Sequence, residues 1–291
     1  MAQDGRYLDQ EFQLQLDNDA YTLDLYLDQY YSQGIYVRYR VVDTTKAFKK
    51  VKSISLNHRI FTPSSISLTD VAQFDRPYAG NFSATGMITE YAPTNVLEYS
   101  LELGGMGKYS LAGPIQTKWH KWFGFGTPEG WDYQINDAPI INGYFKYAHL
   151  VVKAGNLEIL SESNLAAGTT FSYARQEVML RIGKFKPLNE SVQYGGNLGH
   201  KKKKSQQTQE TILFLAFGPE YVAYNSTIEG NFIGKESVHT EERVPWVSQI
   251  RIGALFAWSS FDLSVLYYKR SRENIGATSH RWVSVTLSQR F

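Results

Sequence analysis

The side chains in this chain that could do chemistry cluster in one stretch, residues 115–135, which read IQTKWHKWFGFGTPEGWDYQI. His120 stands there among aromatics and glycines. An imidazole changes charge near neutral pH, so proton transfer is the chemistry it would offer. Glu129 is the nearest carboxylate later in the same stretch. There is no cysteine, so a thiolate nucleophile, a zinc–cysteine centre and a disulfide framework have no support. A net charge of +2 without a basic stripe argues against nucleic acid as a partner.

The elements that must hold such a site are strands. The stretch itself predicts a short helix over 117–123 and a loop over 124–130, because Gly124, Gly126, Pro128 and Gly130 crowd the latter. Elsewhere the chain alternates with a period of two. Phe12, Leu14 and Leu16 share one face against Gln13, Gln15 and Asp17. Ile35, Val37, Tyr39 and Val41 oppose Tyr36, Arg38 and Arg40. Residues 97–103, 177–182, 249–258 and 261–267 repeat the pattern, and Glu98, Glu102 and Arg181 again fall on polar faces. A soluble sandwich also alternates, but the final strand decides between the two. Val283, Val285, Leu287 and the terminal Phe291 share one face, against Trp282, Ser284, Thr286, Ser288 and Arg290. An alternating last strand that ends on phenylalanine is similar to the terminal signal of bacterial outer-membrane barrels. The 20 tyrosines, 16 phenylalanines and 6 tryptophans suit the aromatic girdles of such barrels. The expected fold is therefore all-β, a transmembrane antiparallel β-barrel of about twelve strands. Arg38, Arg40, Glu98, Glu102 and Arg181 would pair in its lumen and plug it rather than conduct.

No apolar run approaches the length of a spanning helix. The first ten residues lack the apolar core of a secretion signal, so the expectation is a numbering that begins after a removed signal. Short turns are predicted near 44–49, 92–95, 155–156 and 259–260. Long loops are predicted over 20–33, 62–78, 106–139, 225–243 and 270–280. Short periplasmic turns alternating with long outer loops place Asn18, Ser32, Asp75 and His120 at the outer rim. The basic run 200–204 falls on the periplasmic side, where it reads as part of a solvated loop. Residues 1–291 form one domain, with no repeat and no linker.

Several ordered motifs give the chain a family resemblance. These are Asn18-Asp19, the run 28–34 (DQYYSQG), the run 75–80 (DRPYAG), Gly113-Pro114, and His120 followed by the run 130–134 (GWDYQ). Together with the terminal hairpins, this set resembles the outer-membrane lipid A 3′-O-deacylases of the LpxR type over nearly the whole chain. The resemblance implies a twelve-stranded barrel with an active site at the outer-leaflet end, between the wall and a loop helix. It implies calcium-dependent hydrolysis of an ester-linked acyl chain on lipid A. By the same resemblance His120 matches the catalytic base, Asp19 an acid that helps hold calcium, and Asn18 an oxyanion or positioning amide. Ser32 keeps a hydroxyl where the family has threonine. Two positions depart. Gly126 stands where the family has a glutamate, which leaves Glu129 as the candidate replacement, and the family's second-loop lysine has no counterpart in 62–74. An enzyme is one expectation. The other is a catalytically silent barrel of the same fold, serving as a structural or accessory subunit of an outer-membrane protein complex.

Overall fold

The computed structural model describes residues 7–22, 29–43, 49–201 and 209–291. In it, twelve antiparallel strands close into a barrel. They are β1 (Gln10–Asn18), β2 (Tyr30–Val42), β3 (Lys50–Thr62), β4 (Ala79–Tyr91), β5 (Asn95–Met106) and β6 (Ala138–Ala154). The second half comprises β7 (Leu157–Gly168), β8 (Phe171–Lys184), β9 (Glu210–Asn225), β10 (Trp246–Trp258), β11 (Phe261–Arg270) and β12 (His280–Arg290). Each strand pairs with the next, and β12 closes on β1 with Leu287 opposite Leu14. Closure leaves no strand edge unpaired, as a hydrocarbon surround demands. Among the described residues, no helix is long and apolar enough to cross a membrane.

The alternation sorts side chains as expected. Phe12, Ile54, Leu56, Phe82, Leu101, Leu103 and Leu287 are exposed on the exterior. Ser284, Thr286 and Ser288 are buried inside. Every other residue of a strand points the same way, so this one parity settles both surfaces. Inside, most of the charges pair as anticipated in kind but not always in partner; the exception is Arg38, whose buried Nε has no hydrogen-bond partner and which makes no ion pair among the described residues. Arg40 binds Glu11 at 3.0 Å, Lys146 binds Glu98 at 3.3 Å, and Glu102 binds Arg59. Arg181 binds Glu158, and Arg251 lies 2.9 Å from Glu177. A lumen cavity of about 490 Å³ remains between these pairs.

The chain departs from expectation in three places. Over residues 185–199, the connection between β8 and β9 is not a solvated loop. Its residues 185–199 turn into the periplasmic mouth, where Leu188 and Leu198 join Val51, Leu160, Met179, Ile212 and Leu255 in an apolar cluster. Tyr194 Oη donates to Glu162 at 2.9 Å, and Asn197 donates to Asp262 at 2.8 Å. The outer connection between β7 and β8, by contrast, has only two residues. Third, the helix is longer than predicted. It is α1 (Ala112–Phe123) and begins five residues earlier than the sequence suggests. Pro114 lies in its first turn, where a missing N–H costs no hydrogen bond. Residues Asp24 and Asp28, the turn residues 44–48 and the lysines 202–204 lie outside the described residues.

Candidate functional site

Helix α1 does not enter the lumen. Arg59 and Phe61 of β3 face the lumen, so Ile60 and His58 face outward. Ile60 is nevertheless fully buried, in a cluster with Phe74, Tyr78, Ala112 and Trp131. The long outer loop between β5 and β6 has therefore folded down over the exterior of the wall. Two details fix it there. A side chain at Gly80 would place its Cβ 2.3 Å from Ala112 Cβ, so only glycine lets the helix approach this strand. His58 Nε2–H donates to the carbonyl of Ser110 at 3.0 Å, just before the helix begins. Trp131 Nε1–H then ties the far side of the loop to Gln116 Oε1 at 2.8 Å.

Between α1 and the outer ends of β1 and β2 lies a cavity of about 340 Å³. Asn18, Asp19, Ser32 and His120 all line it, with Gln116, Trp119, Phe125 and the serines 64, 65 and 67. Four of the five sequence-selected residues thus converge on one space. Glu129 does not. It is exposed and outside the cavity, and its backbone N–H is held by the carbonyl of Ile66 at 2.9 Å. Ser32, expected in a loop, sits within β2 beside a bulge that shifts the register between Tyr31 and Gln33. A bulge re-aims a side chain near a strand end.

His120 is 8% exposed. Its Nδ1 lies 2.6 Å from the carbonyl oxygen of Gly126. A carbonyl can only accept, so Nδ1 carries the hydrogen, and in the neutral form of the ring the lone pair is on Nε2. The chain reverses at Gly124, whose φ of 73° is left-handed, and Phe125 N–H returns to the His120 carbonyl at 2.9 Å. That helix ending is what delivers the Gly126 carbonyl to the ring. Position 126, where the resemblance leads one to expect a glutamate, therefore still supplies an acceptor to the histidine, from backbone rather than side chain.

Asp19 is 3% exposed and accepts from Ala20 N–H at 2.8 Å and from Gln29 N–H at 2.7 Å. Asn18 Oδ1 also accepts from Ala20 N–H, at 2.8 Å, which fixes its amide with Oδ1 toward the backbone. Ser32 Oγ is paired with Thr62 Oγ1 rather than poised as a nucleophile. The donors on this side are all oxygen, the type a hard cation such as calcium takes. Among the described residues, no group of three or more histidine, cysteine or acidic side chains gathers around a metal position.

Sequence reading missed Gln116, Trp119, Phe125 and the serines of the second outer loop. Gln116 was within reach of it, because it stands four residues before His120 and so shares a helix face. The motif at 75–80 has a structural role. Arg76 is buried, pairs with Glu273 at 2.5 Å and donates to Thr227 at 2.9 Å. It ties three outer connections across the barrel mouth. Asp75 accepts from Tyr30 Oη at 2.8 Å, and Asn274 donates to the Asp75 carbonyl at 2.6 Å.

A closed twelve-stranded barrel with an apolar exterior, a charged interior and a polar cavity outside its wall defines an integral outer-membrane β-barrel protein. The family described as outer membrane protein LpxR matches residues 1–291, and the chain belongs to it. The solved structure of LpxR from Salmonella typhimurium covers 97% of this chain and 100% of its own, at 14% identity and a TM-score of 0.78. The β-domain of the Bordetella autotransporter BrkA is similar at a TM-score of 0.50 and 8% identity, covering 97% and 98%. At such identities these two share the fold. No curated protein sequence matches the chain.

Proposed function

We propose that this protein hydrolyses an ester-linked acyl chain of an outer-leaflet lipid, lipid A, with His120 as general base. The observation that carries the reading is placement: a buried histidine of fixed tautomer faces an oxygen-rich cavity on the exterior of the wall. A lumen enzyme would meet water-borne substrates, whereas an exterior rim site meets membrane lipid. Nε2 takes a proton from water as the water oxygen attacks the ester carbonyl carbon. The Asn18 amide faces the oxygen that becomes negative. The imidazolium then returns its proton to the leaving alkoxide, which frees a fatty acid and a hydroxyl. Ser32, held by Thr62, positions rather than attacks. Gly126 keeps the ring in its working tautomer, a task otherwise given to a carboxylate.

Calcium would be held here chiefly by Asp19, the acidic side chain of the cavity, with the Ser32 hydroxyl beside it; the Asn18 Oδ1 is turned to the backbone. When bound, the ion would polarise the ester carbonyl. A single acidic ligand among the described residues makes this a weak site, so a chelator should abolish activity readily.

The test is mass spectrometry of lipid A from cells with the wild-type gene, with His120→Ala, and without the gene. Wild type should shorten lipid A by one acyl chain, and His120→Ala should slow this by about 10²–10⁴. Intact lipid A in cells expressing folded wild-type protein would instead favour the silent barrel, an accessory subunit of an outer-membrane complex.

A further inference from the structure

Of the twelve residues of α1, Ala112, Gly113, Gln116 and His120 are buried, and they form the face turned to wall and cavity. The exposed remainder divides into two stripes. Ile115, Trp119, Trp122 and Phe123 follow the spacing of one helical face, and Trp122 and Phe123 are 75% and 58% exposed. Pro114, Thr117, Lys118 and Lys121 form the other. Trp119 packs tilted against Phe123 with ring centroids 4.6 Å apart, and Phe123 stacks on Phe125 at 6.2 Å. The aromatic stripe is therefore continuous, and its inner end, Trp119 and Phe125, lines the cavity.

Exposed aromatics on this scale are costly in water. Here they belong to a helix laid on the lipid-facing side of the wall, above the exterior belt of Phe82 and Leu56. An amphipathic helix with lysines on one flank and tryptophan and phenylalanine on the other is the form that lies at a membrane interface. We propose that α1 is a membrane-embedded lip. Its stripe sits among the acyl chains of the outer leaflet, and an acyl chain of the bound lipid passes along Trp119 and Phe125 into the cavity. This rests on the exterior-site reading above but names the route and the part of the lipid recognised.

The chain has no cysteine, so single labels are clean. Trp122→Cys, Phe123→Cys and Lys121→Cys, each carrying a nitroxide, are reconstituted in phosphatidylcholine vesicles containing lipid A. Collision with oxygen, which partitions into lipid, is compared with collision with a water-soluble nickel chelate. Positions 122 and 123 should favour oxygen, and position 121 the chelate. Equal chelate access at all three would overturn the embedded lip. Separately, the affinity of a fluorescent lipid A is measured for wild type, Trp119→Ala and Phe125→Ala, with folding checked by heat-modifiable migration. Each variant should bind about tenfold more weakly, the scale set by losing one apolar contact. Unchanged affinity in both would overturn the route. Binding does not require turnover, so failure of hydrolysis alone would appear as lipid bound but uncleaved and would leave these readouts intact.

Discussion

At the scale of single residues, the site depends on what holds His120. Its orienting acceptor is a main-chain carbonyl, and Glu129 stays outside the cavity. Glu129→Gln should therefore leave deacylation within about twofold, because surface substitutions away from a site change little. A loss comparable to that of His120→Ala would show that the loop rearranges to bring this carboxylate inward. The histidine was legible as a residue type, whereas the Asn18–Asp19 pair and Ser32 were legible only through the family resemblance. The Gly126 carbonyl was not, since every residue has one and only the chain reversal at Gly124 aims it. Glu129 is near His120 in sequence alone, and the loop geometry directs it elsewhere.

At the scale of elements, the period-two pattern revealed strands, faces and register, because the pleat leaves each position two choices. Val285, flanked by Leu16 and Val265, faces the membrane, and Thr286 faces the lumen. Arginine at Val285 should cost about 2–4 kcal/mol near the midplane, and arginine at Thr286 less. Equal costs in urea titrations of folding into vesicles would disprove the register. The helix was less legible, since its start depends on packing as well as propensity. Ala112 seats against Gly80, a contact between strand and loop that no local window contains. Gly80→Val should push α1 off the wall at a cost of about 1–3 kcal/mol. The expected result is loss of lipid cleavage with the heat-modifiable gel shift retained. Retained cleavage would mean that the helix position does not matter.

At the scale of the molecule, the two ends of the barrel are held by different physics. The periplasmic mouth is filled by an apolar cluster built on residues 185–199. Its clue lay in inward-facing Val51, Leu160 and Ile212, apolar where a water-filled lumen would be polar. That clue becomes visible only once the parity of every strand is known. The outer mouth is tied by charge. Burial works against ionisation of Glu273, but the guanidiniums of Arg76 and Arg270 outweigh it and hold the carboxyl well below the usual range. A carboxyl lowered on folding adds stability that is complete above its unfolded value, about 4.3, and fades as pH falls through the folded value. The clamp should therefore be intact at pH 5. Glu273→Gln, which strands a buried guanidinium, should cost about 3–5 kcal/mol at pH 7 and flatten the acid limb of the unfolding curve. Identical denaturation midpoints for the two proteins at pH 7 would refute the clamp.

The cavity outside the wall has a kinetic corollary. A protein working from that face searches in two dimensions, by lateral diffusion within a leaflet, and the concentration it senses is a mole fraction of the surface. Half-saturation is then set by how crowded the membrane is with substrate, whatever the volume of the cell or the assay. Adding inert detergent or phospholipid at constant total substrate would slow the reaction by surface dilution, while adding buffer would not.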